Sequence, residues 1–255
     1  MPVIHLVRHG QASFGAQDYD ALSDTGRVQA AVVGRELARR APRDPLLVCG
    51  TLRRQRETAE LLARAGNFGS ALRTDARWNE YDHLRLLDRH GSAAVESPGS
   101  SATTGGAARE RAHSAAPSSS REVQQLLDAA LLRWIEADAP AADEDGWQRF
   151  SQGAGEALAD LTAALVTAPA DAVADPDAHR APAARDAIVV TSGGVLAALC
   201  GRLLSLPAPA VVAVNRVMLN AAVTTVLIGR SGATLLALND HAHLSGEQQA
   251  LRTYR

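Results

Sequence analysis

The hydrophobic pattern of the chain alternates short apolar runs with amphipathic stretches. Each of three apolar runs is followed by a turn and by a stretch whose apolar positions have helical spacing. The apolar runs cover residues 3–7, 46–49 and 187–191, and the amphipathic stretches cover about 24–40, 52–65 and 195–204. Short continuous apolar runs are typical of buried strands. The alternation therefore predicts an α/β fold with a mostly parallel central sheet flanked by helices.

The rest of the chain adds helices, a hairpin and two insertions. Helical spacing recurs over 121–137 and 146–167, and two apolar stretches joined by Gly-Arg-Ser-Gly, at 220–228 and 234–238, predict a β-hairpin. Two segments rich in small residues and proline, with few apolar anchors, are typical of flexible insertions; they lie at about 91–120 and 168–186. We expect a single domain over 1–255 that carries these insertions.

Composition and charge exclude several functions. The 255 residues have a formal net charge of −2, so no nucleic-acid or membrane partner is expected, and all 26 basic residues other than histidine are arginine, which excludes a catalytic lysine. Cys49 and Cys200 lie in apolar runs without metal-ligand spacing, so we expect core thiols and no metal. The chain enters a strand without a basic and apolar leader, and we expect a cytoplasmic protein.

The end of the first strand is the first candidate for chemistry. The apolar run stops at Arg8, His9 and Gly10, and in open α/β sheets ligands bind at the carboxyl ends of strands. Arginine presents a planar fork to phosphate or carboxylate oxygens, and a neutral imidazole beside it can act as a nucleophile or a base. The alternative is an ordinary polar strand end.

The second candidate is the start of the following helix. Arg53, Arg54 and Arg56 fall in its first turn and a half, where the positive end of the helix dipole disfavours cations. An anion bound by backbone N–H groups and arginine together would offset this repulsion. The alternative is a solvated arginine face paired with Glu57 and Glu60.

The third candidate is a carboxylate between aromatic residues. Glu80 stands between Trp78 and Tyr81 in the segment Arg-Trp-Asn-Glu-Tyr-Asp-His. Apolar neighbours raise the pKa of a carboxyl group, which is what a general acid requires. The alternative is a surface loop.

Taken in order, four motifs resemble those of the histidine phosphatase superfamily, the phosphoglycerate-mutase-like fold. They are residues 6–11, Leu-Val-Arg-His-Gly-Gln; 22–30, Leu-Ser-Asp-Thr-Gly-Arg-Val-Gln-Ala; 52–59, Leu-Arg-Arg-Gln-Arg-Glu-Thr-Ala; and 79–82, Asn-Glu-Tyr-Asp. The resemblance implies a three-layer α/β sandwich with an inserted helical and loop cap segment.

The resemblance also implies a mechanism. His9 would attack phosphorus and become a phosphohistidine. Arg8 and Arg54 would bind the phosphate oxygens, and Glu80 would protonate the leaving oxygen and later deprotonate water. Because the arginines provide the positive charge, no metal or other cofactor is expected.

Two departures from the family pattern affect the phosphate contacts. Ala12 and Gly15 stand where the family usually has Thr and Asn, so those polar contacts are either missing or made by Gln11 or Ser13. Ser192 stands before Gly-Gly at the third strand end, where the family has its second histidine. We expect Ser192 to be a weak phosphate donor and His243, after the last strand, to be a supporting one.

Three functions follow from the resemblance. The first is a phosphatase, a metal-independent phosphoric monoester hydrolase acting on a small phosphorylated molecule. A phosphoglycerate mutase would need a lid that excludes water, whereas the segment expected over the site is rich in Ser, Ala and Gly. A phosphate-ester binding or regulatory protein with weak catalysis is suggested by Ser192. The sequence does not name the substrate, and a homodimer stays open.

Overall fold

The computed structural model describes residues 1–13, 20–41, 44–91, 120–137, 143, 145–167 and 185–254. The two expected insertions, at 91–120 and 168–186, fall almost entirely outside the described residues. The chain divides into two compact units, one formed by Met1–Glu80 with Phe150–Arg255 and the other by Tyr81–Arg149. The candidate site residues of the sequence analysis all belong to the first unit, so that unit is described in detail.

The first unit contains a mixed six-stranded sheet, in the order β3-β2-β4-β1-β5-β6. Its strands are β1 Val3–Arg8, β2 Leu46–Cys49, β3 Leu72–Thr74, β4 Ala187–Thr191, β5 Val223–Gly229 and β6 Gly232–Asp240. Pairs β1–β4, β2–β4 and β2–β3 are parallel, whereas β5 pairs antiparallel with β1 and β6. The mostly parallel sheet and the hairpin of β5 and β6 are therefore confirmed. Strand β3 was not predicted, because three residues carry no readable pattern.

Helices cover both faces of this sheet. They are α1 Asp24–Arg40, α2 Arg53–Gly66, α5 Trp147–Thr167 from Phe150 onward, α6 Gly193–Leu204 and α7 Ala208–Val217. On one face Val7 of β1 packs in a cluster with Val33 of α1 and Leu62 of α2. On the other face Leu6 packs in a cluster with Leu158 of α5 and Leu199 of α6. This arrangement is the expected three-layer α/β sandwich.

The second unit contains α3 His83–His90 and α4 Ser120–Glu136. The first of these helices was not predicted. It starts at Asp82, whose side chain accepts hydrogen bonds from the backbone N–H groups of Leu84 and Arg85. Arg85 pairs with Asp145 at 3.1 Å on the surface of this unit. No helix of the described residues in either unit is long and apolar enough to cross a membrane.

Parallel pairing aligns three strand ends at one edge of the sheet. Arg8 of β1 lies opposite Thr191 of β4, and Cys49 of β2 lies opposite Val190 of β4. The segments that follow these strands therefore begin side by side. His9, Ser192 and the start of α2 are brought to the same edge by this register.

The first of these strand ends is fixed against α1 by two glycines. The Ser23 side chain caps α1 by accepting a hydrogen bond from the Gly26 N–H. A Cβ atom on Gly10 would overlap the Gly26 carbonyl group, and a Cβ atom on Gly26 would overlap the backbone of Gln11. Only glycine at both positions lets the turn after β1 approach the first turn of α1 this closely.

A buried histidine lies within the core of the first unit. His5, on the same face of β1 as Val7, is 4% exposed, and neither ring nitrogen has a hydrogen-bond partner among the described residues. Burial lowers the pKa of His5 to about 4. By contrast, Cys49 and Cys200 are the buried free thiols that were expected, and burial raises the pKa of each to about 11.

The low pKa of His5 predicts a loss of stability in mild acid. Its pKa is 6.5 in the unfolded chain and about 4 in the folded protein, so the unfolded state binds the proton first as pH falls. The free energy of unfolding should therefore decrease between pH 6.5 and 4, by about 3 kcal/mol from this group, and this loss should level off below pH 4.

Urea unfolding of wild-type and His5→Leu protein across this pH range measures the effect. The variant should lose about 3 kcal/mol less than the wild type. Thr225→Val is the matched control, because Thr225 pairs with His5 across the sheet and does not titrate in this range. Parallel pH dependence in wild-type and His5→Leu protein would contradict the assignment.

Candidate active site

The His9 ring is held at both of its nitrogens. The backbone of His9 continues the sheet, because its N–H donates to the Thr191 carbonyl group at 2.9 Å. Nδ1 lies 2.7 Å from the Gly10 carbonyl oxygen, and Nε of Arg54 lies 3.2 Å from Nε2. A carbonyl oxygen only accepts and a guanidinium group only donates. This hydrogen-bond network assigns the proton of a neutral ring to Nδ1 and the lone pair to Nε2.

This arrangement suits a nucleophile. The ring is 6% exposed, so its environment and not bulk water determines its orientation. A lone pair on Nε2 can attack an electrophile, while the proton on Nδ1 stays bonded to the Gly10 carbonyl group and stabilises the positive charge that then develops on the ring.

Arg54 is fixed by an acidic residue that the sequence analysis did not single out. Arg54 donates to Oδ1 of Asp20 at 2.6 Å, and its side chain is 11% exposed. The other oxygen, Oδ2, accepts from the backbone N–H of Arg53 at 2.7 Å, at the N-terminus of α2. A carboxylate of the chain itself thus offsets the positive charge at this helix start.

The neighbouring arginines have a different role. Nε of Arg53 donates to Glu57 at 2.8 Å, and Arg27 pairs with the same carboxylate at 3.3 Å. Burial alone would raise the pKa of Glu57, but the hydrogen bonds from Arg53 and the Leu22 N–H hold it below its usual value. The alternative of an arginine paired with acidic residues on the surface therefore holds for Arg53, whereas Arg54 faces His9.

Arg8 lies beside the start of α6. One of its terminal nitrogens donates to the carbonyl groups of Met218 and Tyr254, the second at 2.7 Å. A Cβ atom on Gly193 would lie 3.6 Å from Nε of Arg8. The guanidinium group therefore lies against the N-terminus of α6, where backbone N–H groups also attract anions.

Glu80 reaches the same helix N-terminus. Its Oε2 accepts a hydrogen bond from the Gly194 N–H at 3.2 Å. The residue before it is fixed too, because the Asn79 side chain accepts from the Thr51 N–H and donates to the Thr51 hydroxyl group, at 2.6 and 2.7 Å. The carboxylate is thereby held at the start of α6, and the residue before it is held against the turn after β2.

A network of buried hydrogen bonds joins α2 to the segments that contain Trp78 and Ser192. Nε2 of Gln55 donates to the Trp78 carbonyl group at 2.9 Å and to Oγ of Ser192 at 2.8 Å. The Thr191 hydroxyl group also donates to the Trp78 carbonyl group, at 2.8 Å. Gln55 and Ser192 both have 0% exposed surface.

The structure brings some of the predicted residues together and places others elsewhere. His9, Arg8, Arg54 and Glu80 all lie at the carboxyl edge of the sheet, where His9 bonds to Arg54, and Arg8 and Glu80 lie beside the start of α6. Ser192 lies beneath that edge with no exposed surface, and its Oγ accepts a hydrogen bond from Gln55. Its role as a phosphate donor stays a prediction.

His243 and Gln11 also have other partners. Nε2 of His243 lies 3.0 Å from the Ala221 carbonyl oxygen and is occupied by that contact. Burial lowers the pKa of His243, and its charged neighbours are Arg40, Asp240 and Glu36. Oε1 of Gln11 accepts from the Ser23 hydroxyl group at 3.0 Å, which ties it to the cap of α1. The phosphate contacts expected of His243 and Gln11 stay predictions.

Three residues of the site were missed by the sequence analysis. They are Asp20, Gln55 and Thr58, whose Oγ1 accepts from the Gly10 N–H at 3.0 Å. The signal for Gln55 is its place between two arginines on a helix face that contains the apolar Ala59 and Leu62. The described residues contain no group of three or more His, Cys, Asp or Glu side chains that could hold a metal ion.

Solved structures share this fold. A mycobacterial glucosyl-3-phosphoglycerate phosphatase is 23% identical, with a TM-score of 0.55 over 95% of this chain and 100% of that chain. YhfR of Bacillus stearothermophilus is 18% identical, with a TM-score of 0.57 over 96% and 100%. A protein described as mycobacterial hydrolase 2 is 22% identical, with a TM-score of 0.55 over 100% and 99%. At these identities the likeness concerns the fold alone. No curated protein matches the chain.

The family is shown by a separate comparison. Residues 4–139, more than half of the chain, match the model of the histidine phosphatase superfamily (branch 1). The matched segment includes His9, Arg54 and Glu80, the residues that the fold brings to one edge of the sheet. On this match and this fold, the chain belongs to the histidine phosphatase superfamily.

Proposed function

We propose that this protein is a metal-independent phosphatase that hydrolyses a small-molecule phosphomonoester through a phosphohistidine on His9. The observation that carries the proposal is the orientation of the His9 ring, with Nδ1 bonded to the Gly10 carbonyl group and Nε2 facing Arg54. The proposal places the protein in the cytoplasm, with a small phosphorylated molecule as its substrate and no nucleic-acid or membrane partner.

The first chemical step forms the covalent intermediate. A phosphate oxygen takes over the Nε–H of Arg54, which frees the lone pair on Nε2 of His9. This lone pair attacks phosphorus, the bond between phosphorus and the ester oxygen breaks, and protonated Glu80 gives its proton to the departing oxygen. Arg8 and Arg54 stabilise the charge on the equatorial oxygens of the transition state.

The second step releases phosphate. Water attacks the phosphorus atom of the phosphohistidine, and the carboxylate of Glu80 takes a proton from that water. The bond between nitrogen and phosphorus breaks, and its electron pair returns to Nε2. Inorganic phosphate leaves, and both His9 and Glu80 are restored to their starting protonation states.

The proposal has support from the comparisons and one specific rival. A structural neighbour is described as a phosphatase of glucosyl-3-phosphoglycerate, which is a small phosphate ester. The rival is a phosphate-ester binding protein with weak catalysis, because Ser192 replaces the second histidine and is buried. The two functions differ in phosphate release and in phosphorylation of His9.

A phosphate-release screen over phosphorylated metabolites, with His9→Ala as the blank, tests the proposed function. The wild type should release inorganic phosphate from at least one small ester, and the variant should be slower by about a thousandfold or more. Because the His9 ring is 6% exposed and its removal leaves a cavity, circular dichroism is used to confirm that the variant is folded. Near wild-type turnover by His9→Ala would contradict the mechanism.

Arg54→Lys should weaken catalysis although the charge is kept. Lysine has no fork with which to meet both Asp20 and a phosphate oxygen, so transition-state stabilisation should fall by roughly 2–3 kcal/mol. The matched control is Arg53→Lys, whose side chain is 47% exposed and pairs with Glu57. Steady-state kinetics of both variants check this, and equal losses would contradict the roles assigned to the two arginines.

Glu80→Gln should act selectively on substrates with poor leaving groups. A sugar phosphate needs a proton on its leaving oxygen, whereas para-nitrophenolate departs without one. The ratio of kcat/KM for para-nitrophenyl phosphate to that for the sugar phosphate should therefore rise in the variant. An unchanged ratio would mean that Glu80 is not the acid.

A further inference from the structure

We infer that Gln55 is a positioning residue that holds Glu80 in place for acid catalysis, an inference that rests on the proposed function. Gln55 lies next to Arg54 on α2, but its side chain is completely buried and points away from solvent. It touches none of the reacting atoms. Its influence on the reaction would pass through the two segments that meet at Glu80.

The hydrogen bonds of Gln55 fix the orientation of its carboxamide group. Oε1 accepts from the Leu52 N–H at 3.3 Å. Nε2 donates to the Trp78 carbonyl group and to the Ser192 hydroxyl oxygen, at 2.9 and 2.8 Å. The Leu52 N–H requires an acceptor and the Trp78 carbonyl group requires a donor, so the oxygen and the nitrogen of the carboxamide cannot be exchanged. Oγ of Ser192 must therefore act as the acceptor of this bond.

The two partners of Nε2 lie on either side of the Glu80 contact. Trp78 precedes Glu80 by two residues, and Ser192 precedes by two residues the Gly194 N–H that donates to the carboxylate. Gln55 therefore connects the segment that carries the acid to the helix start that holds the acid. A shift of either segment would change the distance between Oε2 of Glu80 and the Gly194 N–H, now 3.2 Å.

This network also gives Ser192 a role that differs from phosphate binding. Its buried oxygen completes the link between Gln55 and the start of α6. Ser192 and Gln55 are direct hydrogen-bond partners, and together they stabilise one arrangement of Glu80.

The test compares two substrates in three variants. Gln55→Leu replaces the carboxamide with an apolar side chain that is one atom shorter, and it removes every hydrogen bond of Gln55. It should slow hydrolysis of a sugar phosphate by about tenfold or more and that of para-nitrophenyl phosphate much less, the pattern expected when an acid is misplaced. Ser192→Ala removes one bond of the network and should give the same pattern at a few-fold. Thr225→Val, a buried hydroxyl loss away from the site, should change neither rate.

A combined variant separates positioning from a general structural defect. In the Glu80→Gln background the acid is already absent, so adding Gln55→Leu should cause little further loss on the sugar phosphate. Equal slowing of both substrates by Gln55→Leu, or full additivity with Glu80→Gln, would overturn the inference and leave the phosphatase proposal intact. If Gln55→Leu does not fold, the substrate ratio of Ser192→Ala decides in the same way. Absence of phosphate release by the wild type would overturn both.

Discussion

The hydrogen bonds of the His9 ring are the interaction on which the site depends. Nδ1 can reach the Gly10 carbonyl group only if the chain turns sharply after β1, and that turn is fixed by its contact with Gly26 and by the bond from the Gly10 N–H to Thr58. The second ring nitrogen meets Arg54, which comes from the same helix as Thr58. The close packing of β1, α1 and α2 therefore determines how the imidazole ring is oriented and which of its nitrogens carries the proton.

Positive charge at the site is balanced before any substrate binds. An arginine near the first turn of a helix is unfavourable by itself, and Asp20 offsets this by bonding both to Arg54 and to the helix N-terminus. Glu57 pairs with Arg53 and Arg27. These carboxylates keep the guanidinium groups ordered, so less reorganisation is needed when a phosphate arrives. The ordering also distinguishes Arg54, which faces the imidazole, from its exposed neighbour.

The parts of the site that depend on local sequence pattern could be predicted from the sequence. The end of β1 and the arginines at the start of α2 could be located because strand and helix periodicity are local. Gln55, Asp20 and the buried position of Ser192 could not, since each depends on which side chain meets it from a distant segment. Strand β3 and helix α3 were not predicted because they are short.

The position of phosphorus on the His9 ring tests the central claim most directly. The wild type is mixed with a phosphomonoester that it hydrolyses, and the reaction is quenched in alkali, in which phosphohistidine is stable. The protein is then digested, and the phosphopeptide is compared by ³¹P NMR with authentic isomers of phosphohistidine. Because Nδ1 is occupied by the Gly10 carbonyl group and Nε2 carries the lone pair, the account predicts phosphorus on Nε2. Phosphorus on Nδ1, or phosphate release without any phosphohistidine on His9, would contradict it.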